Sequence, residues 1–286
     1  MTDARPVSAA TEEEFERLCE FLYRRTGLAF TTAKRYYVDR RMADRMAATG
    51  SRSFAAYFAA LRADVGGEVE QLVNSLTVNE TYFYREEHQL RCLSSSLLGP
   101  LAAGKRLGEP IRIWSMPCST GEEPYSIAIW LLENWPEVDR HEIEILGSDI
   151  DSSALAAAAE GRYGTRALSR LPPAVVARYF ECTADGEWRI VEGLRESIQL
   201  GQANLVNSED VARHGRFDVI FCRNLLIYFD DASRRLAVEN LYDALRPGGY
   251  ICLGHAESMS RISALFEVCR FDDAIVYRRP GGKSHG

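Results

Sequence analysis

"RIWSMPCSTGEEPYS" (residues 112–126) opens as an apolar strand, breaks on a run of small residues, and sets two carboxylates where a helix begins. Strand, tight turn and helix N-terminus is the arrangement that cradles phosphate in α/β proteins, because free backbone N–H groups and the helix dipole point at the ligand. Glu122 and Glu123 argue against an anion. Two like charges about 4 Å apart repel by roughly 4 kcal/mol at an effective dielectric near 20, more than a helix terminus returns. The turn therefore suits a ligand with a positive end, while the helix dipole by itself accounts for one of the two acids.

Outward from this turn the pattern is one of short apolar runs alternating with helical stretches. "IRIWSM", "EIEILGSDI", "FDVIFCRN" and "GGYICLGHA" read as strands; "EEPYSIAIWLLENW", "SSALAAAAEGRY" and "DASRRLAVENLYDAL" read as helices. Such alternation predicts a mainly parallel sheet covered by helices on both faces. "LFEVCRF" and "AIVYRR" close it as an edge hairpin, and the segment about 171–203 reads as a small antiparallel insertion of two or three short strands. Upstream, the reading is helical. "TEEEFERLCEFLYRRTG" has Thr11 as N-cap, Glu14 at the capping-box position, Phe15, Leu18 and Leu22 on one side, and Gly27 as a stop. A second helix spans 32 to about 48, a third lies in "SFAAYFAALRAD", and a fourth in "EVEQLVNSLTV", running into "NETYFYREEHQLRCL". The expectation is an α/β chain with a helical domain over 1–98 and an α/β domain over 99–286. Residues 1–10 and 280–286 read as frayed ends.

Composition narrows the function. A chain of 286 residues with 46% hydrophobic content buries a sizeable core, and 34 Lys and Arg against 41 Asp and Glu leave a net charge of -7, without the general basic footprint of a nucleic-acid binder. Seven cysteines, without a C-x-x-C pair or histidines at metal spacing, read as reduced thiols of a cytoplasmic protein that binds no metal. No apolar run approaches the roughly 18 residues of a membrane span, and "TEEEFE" is no secretory leader.

Ligands of open parallel sheets sit beyond the carboxyl ends of the strands. The second strand ends in "GSDID", where Asp149 stands at the position that accepts ribose hydroxyls, while Asp151 caps the helix that follows. A ribose without a phosphate at the first turn describes a nucleoside with a cationic tail, which is the form of S-adenosylmethionine. A dinucleotide is disfavoured because the turn lacks G-x-G-x-x-G. Arg223, Asn224 and Tyr228 follow the strand "FDVIFC"; turn residues and a core aromatic are the alternatives to a site role.

"TVNETYFYRE", "WSMPCSTGEEPYSIAI", "GSDID", "FDVIFCRNLLIYFD" and "LRPGGYICLGHAES" together resemble the CheR-type chemotaxis receptor methyltransferases, in that family's order along nearly the whole chain. The resemblance implies a Rossmann-like S-adenosylmethionine-dependent methyltransferase domain with a small inserted antiparallel β-subdomain. It also implies methyl esterification of receptor glutamates, with S-adenosylhomocysteine as product. Position by position, it places Asn79, Thr81, Arg85, Glu122 or Glu123, Asp149, Asn204, Leu205, Arg223 and Asn224 at the cofactor and Tyr228 near the transferred methyl, with Arg85 and Tyr228 then read as the positioning groups. The implied partners are the cytoplasmic helices of chemoreceptors, and a receptor C-terminal tail at the β-subdomain.

The chemistry asks little of acids and bases, since a glutamate side chain, whose ordinary pKa is near 4.3, is already ionised at neutral pH. Two rivals remain, a silent cofactor-binding sensor and a small-molecule methyltransferase. The first is disfavoured because Tyr228 and the "NETYFYR" positions are present. For substrate docking the candidate is "KRYYVDRRMADRM", where five basic residues against two acidic give a local +3 and Lys34, Arg41 and Arg45 share a helical face.

Overall fold

The computed structural model describes residues 10–259 and 262–281; of the ends expected to fray at 1–10 and 280–286, residues 1–9 and 282–286 lie outside them. The chain divides into two compact units, Met1–Val78 with Tyr228–Ser233, and Asn79–Ile227 with Arg234–Gly286. The first unit thus ends at Val78, short of the boundary expected at 98. Packing is the reason: Phe83, Leu90, Leu93, Leu97 and Leu98 are buried in one core with Ile111, Ile113 and Ile127 of the α/β unit.

In the first unit, α1 (Glu12–Thr26) begins on the expected capping box, with Thr11 N donating to Glu14 Oε2 (2.9 Å) and Glu14 N to Thr11 Oγ1 (3.2 Å). It ends at Gly27, whose φ of 70° is the left-handed conformation that glycine adopts without a Cβ clash. A short 3-10 turn (Thr32–Lys34) precedes α2 (Arg35–Ala48), then follow α3 (Phe54–Arg62), capped by Ser53, and α4 (Glu68–Leu76). Leu18, Leu22, Val38, Met42, Leu61 and Leu72 fill the interior at helical spacing. Segment 228–233 belongs here: Ala29 N donates to the Tyr228 carbonyl (3.3 Å), and Tyr23 Oη to Asp230 Oδ2 (3.0 Å).

The second unit is built on a seven-stranded sheet. Its strands are β1 (Ile111–Ser115), β2 (Ile143–Asp149), β6 (Ile198–Gln202), β7 (Phe217–Cys222), β8 (Leu245–Leu253), β9 (Glu267–Arg270) and β10 (Ile275–Arg278). The order is β6-β2-β1-β7-β8-β10-β9, parallel except where β10 pairs with β8 and β9, so the edge hairpin expected from the sequence is present. From β1 the chain winds outward through β2 to β6, then returns to β7 on the other side. β1 is the point where strand order reverses, and its carboxyl end opens the crevice in which such sheets bind ligands.

The small antiparallel sheet is formed by β3 (Arg162–Tyr163), β4 (Phe180–Cys182) and β5 (Trp188–Ile190), in the order β3-β5-β4. It starts earlier than the expected 171 and stops before 198, because Ile198–Gln202 is recruited as the edge strand beside β2. Among the described residues no helix is long and apolar enough to cross a membrane.

Candidate functional site

Four neighbouring parallel strands, β6, β2, β1 and β7, lead into the turns that carry Asn204 and Leu205, Asp149, Glu122 and Glu123, and Arg223 and Asn224, while Asn79, Thr81 and Arg85 come from the segment after α4. Beyond β1, Ser119 (φ 49°) and Gly121 (φ 93°) take left-handed backbone, and the helix Glu122–Asn134 starts at once. Gly121 is required twice over. Besides its φ, a Cβ there would lie 2.8 Å from Ala158 Cβ and 3.1 Å from Tyr163 Oη, whose hydroxyl donates to the Thr120 carbonyl (2.9 Å).

Asp149 ends β2 with its carboxylate turned to this loop. Oδ2 accepts from Ser119 N (2.8 Å) and Oδ1 from Asp151 N (3.0 Å), while Ala203 N donates to its carbonyl (3.0 Å), which brings Asn204 and Leu205 alongside. Asn204 Oδ1 accepts from Val206 N (3.2 Å), and the Leu205 carbonyl accepts from Asn240 Nδ2 (2.8 Å), so this turn is held from within. Asn79 joins the cluster, its Nδ2 donating to Asp151 Oδ2 (2.8 Å) and its Oδ1 accepting from Ser119 Oγ (3.1 Å). Asp151 also accepts from Ser153 N and Ala154 N, the helix cap expected of it. Thr81 follows Asn79, partly buried.

The two carboxylates of the first turn have different fates. Glu123 is taken up internally: Oε1 accepts from Ser115 Oγ (2.8 Å) and Oε2 from Arg223 Nη1 (2.8 Å). Arg223 Nη2 further donates to the Arg85 carbonyl (2.7 Å) and lies 3.6 Å from Glu86 Oε2. Arg223 and Glu123, both expected at the cofactor, are therefore a buried brace between the first turn, the β7 loop and segment 85–86. Glu122 accepts from Thr120 Oγ1 (2.6 Å) and remains the acid at the turn, its carboxyl raised by burial. Arg85 donates Nη1 to the Glu80 carbonyl (2.7 Å) and stands 5.8 Å from the Tyr82 ring centroid. Asn224 adopts φ 60° directly after Arg223.

In the helical unit, the Lys34 ammonium lies 5.1 Å from the ring centroid of Tyr228, and the Arg41 guanidinium 5.3 Å from that of Tyr37. Arg45 departs from expectation. Its Nε donates to Glu68 Oε1 (3.0 Å) and its Nη2 to Oε2 (2.5 Å), so the third member of the expected docking face is spent on a buried carboxylate.

Sequence reasoning missed Ser119 as the donor to Asp149, Glu86 as the second carboxylate on Arg223, and Glu257, which receives three backbone N–H groups. All three lie inside motifs quoted above, Glu86 at the end of "TVNETYFYRE", Ser119 in "WSMPCSTGEEPYSIAI" and Glu257 in "LRPGGYICLGHAES", but nothing local in those motifs names their partners. Among the described residues no group of three or more His, Cys, Asp or Glu is arranged to hold a metal ion.

The donor set fits a nucleoside with a cationic tail. Each Asp149 oxygen uses one lone pair on a backbone N–H, which leaves acceptor capacity for ribose hydroxyls, and Glu122 supplies negative charge. Burial pushes the Asp149 carboxyl up to about 6, partly offset by the N–H groups of Asp151 and Ser119. Two consequences follow. Folding is favoured by the protonated form, so the stability this group contributes is complete below its ordinary value of 3.8 and is lost as pH rises through about 6. Cofactor affinity runs the other way, because the ionised form is the stronger acceptor. Asp149→Ala is expected to cost about 1.5–3 kcal/mol of cofactor binding by calorimetry, and the parent's affinity to fall as pH drops through this value. An unchanged dissociation constant in the folded variant removes Asp149 from the site.

The family described as "CheR methyltransferase, SAM binding domain" matches residues 79–275, and "CheR methyltransferase, all-alpha domain" matches residues 13–77. The chain is 48% identical over 276 residues to the chemotaxis protein methyltransferase 2 of Vibrio cholerae serotype O1, covering 96% of both chains. It is 37% identical to the chemotaxis protein methyltransferase 2 of Pseudomonas aeruginosa, covering 89% of this chain and 90% of that one. With the chemotaxis protein methyltransferase of Salmonella typhimurium the identity is 33%, covering 91% and 88%.

Proposed function

The chain belongs to the CheR methyltransferase family, and from this we propose that it esterifies glutamate side chains on the cytoplasmic helices of chemoreceptors, a reaction of receptor adaptation. The observation that carries this reading is the buried Asp149 carboxylate beside a turn with acidic Glu122 and no phosphate fingerprint, in a chain matched over 96% of its length by a chemotaxis methyltransferase. S-adenosyl-L-methionine, when bound, supplies a methyl carbon whose bond to sulfur breaks as the glutamate oxygen bonds to it, the electron pair leaving with sulfur as S-adenosyl-L-homocysteine.

The residues of this chain then have holding tasks. Asp149 would accept the ribose hydroxyls, Asn204 and Leu205 beside it would add cofactor contacts, and Glu122 would offer negative charge to the cationic end. Asn79, Thr81 and Asn224 complete the cofactor contacts. Arg85 and Tyr228 orient the glutamate carboxylate, which needs no general base because it is already ionised at neutral pH. Alignment is the main contribution, worth roughly 7–11 kcal/mol when the attack is in line. Lys34 and Arg41 draw in the acidic receptor helix by charge, and the β3-β5-β4 sheet is the proposed seat of a receptor tail. Such a partner places the protein in the cytoplasm.

Incubation with tritiated S-adenosylmethionine and membranes bearing candidate receptors is expected to label the receptor with base-labile methyl groups released as methanol. Base-stable label, or label only in small molecules, overturns the glutamate reading. Tyr228→Phe is expected to lower turnover and leave cofactor affinity within a few-fold of the parent, the mark of an interaction felt mainly in the transition state. Full turnover in this variant makes Tyr228 a packing residue.

A further inference from the structure

We propose that Glu257 is the positioning residue of the methyltransferase site, holding the loop after β7 in the shape that presents Asn224 to the cofactor. The inference rests on the proposed cofactor role of Asn224. Glu257 follows the end of β8 by a short loop, and its carboxylate gathers N–H groups from two loops. Oε2 accepts from Asn224 N (2.8 Å) and Gly254 N (2.9 Å), and Oε1 accepts from Leu226 N (2.7 Å). β7 and β8 are paired up to Cys222 and Leu253, so the two loops leave the sheet side by side and a single carboxylate reaches both.

The loop needs such a hold. Asn224 has a φ of 60°, a conformation that a residue with a Cβ enters at a cost and keeps only where its surroundings impose it. Backbone N–H groups converging on a partly buried anion impose it, because charge-assisted hydrogen bonds are stronger than neutral ones. Gly254 is part of the same seat: a Cβ there would lie 2.9 Å from Glu257 Oε2 and 3.1 Å from Asn224 N. Directly beyond the anchored Leu226, after Ile227, the chain runs into Tyr228.

Two substitutions disturb the seat from opposite sides. In E257Q the carboxamide nitrogen faces at least one N–H donor, and in G254A the methyl group wedges between Glu257 and Asn224 while the carboxylate stays. V276A, in β10 and apart from these contacts, is the control for loss of stability alone. Calorimetry with S-adenosylmethionine is expected to give affinities lower by about tenfold or more for E257Q and G254A and unchanged for V276A, since a small misplacement at a binding atom is costly. With labelled cofactor and receptor membranes, turnover is expected to fall in both variants while the receptor KM stays within about two-fold. Folded E257Q and G254A that bind cofactor within about two-fold of the parent overturn the proposal; if E257Q does not fold, G254A decides. A parent chain that binds cofactor and labels no receptor defeats the proposed substrate, while the role of Glu257 is still decided by the affinities.

Discussion

Arg223→Gln is expected to lower the unfolding free energy by about 3–5 kcal/mol, the cost of removing one partner from a buried ion pair. The Arg223 side chain is 3% exposed and faces two carboxylates that are themselves 13% and 11% exposed, Glu123 at 2.8 Å and Glu86 at 3.6 Å. In the parent, burial raises the Glu86 carboxyl, but the Arg223 charge and the His255 hydrogen bonds outweigh this and hold it below its ordinary 4.5. Glu86 therefore contributes stability above that value, lost as pH falls through its lowered folded pKa. Glu123 is raised, because burial outweighs Arg223 and Ser115. Without Arg223 both carboxyls are pushed upward, and a raised carboxyl loses stability as pH rises. The deficit in urea unfolding is thus expected to be larger at pH 8 than at pH 5. A second change, Glu123→Gln on Arg223→Gln, is expected to recover part of the loss, since a neutral pair leaves less uncompensated charge. Midpoints equal to the parent at both pH values would mean that the brace is dispensable.

Arg45→Ala is expected to destabilise the helical unit by about 3 kcal/mol, again by stranding a buried carboxylate. Glu68 is 4% exposed; besides Arg45 it accepts from Tyr57 Oη (2.8 Å), a phenol that is itself fully buried and whose ionisation burial opposes. The remaining hydroxyl does not replace two guanidinium hydrogen bonds. Arg41→Ala on the same helix tests docking instead: Arg41 is half-buried against Tyr37, so its denaturation midpoint is expected to fall less than that of Arg45→Ala, its receptor KM to rise, and the loss of methylation with salt to flatten, because attraction between charges is screened over about 8 Å at physiological ionic strength. An Arg45→Ala protein as stable as the parent, with a raised receptor KM, would return Arg45 to the docking face.

The architecture, and the end of the sheet that gathers the candidate residues, were legible in the order of residues. Alternating apolar runs specify strands and helices because side-chain periodicity is a local property, and the small residues and Gly121 of "CSTGEE" specify a turn because φ 93° is a local demand. Asp149 was legible for the same reason, as the polar residue ending an apolar strand. The capping box of Thr11 and Glu14 and the cap at Asp151 act over three residues and were equally readable.

Which charges are free was settled only by contacts between distant parts of the chain. Glu122 and Glu123 are adjacent and alike in sequence, yet Glu123 meets Arg223 a hundred residues away while Glu122 meets Thr120. Lys34, Arg41 and Arg45 are spaced in sequence for one helical face, yet Lys34 sits in the 3-10 turn before α2 and Arg45 is drawn to Glu68 on α4. The domain boundary moved to Val78, and Ile198–Gln202 left the small sheet for the large one, because both segments bury apolar side chains against strands distant in the chain. Helical and strand periods record what each residue does to its own backbone; ion pairing and sheet membership depend on which distant group removes it from water, and no local pattern encodes that choice.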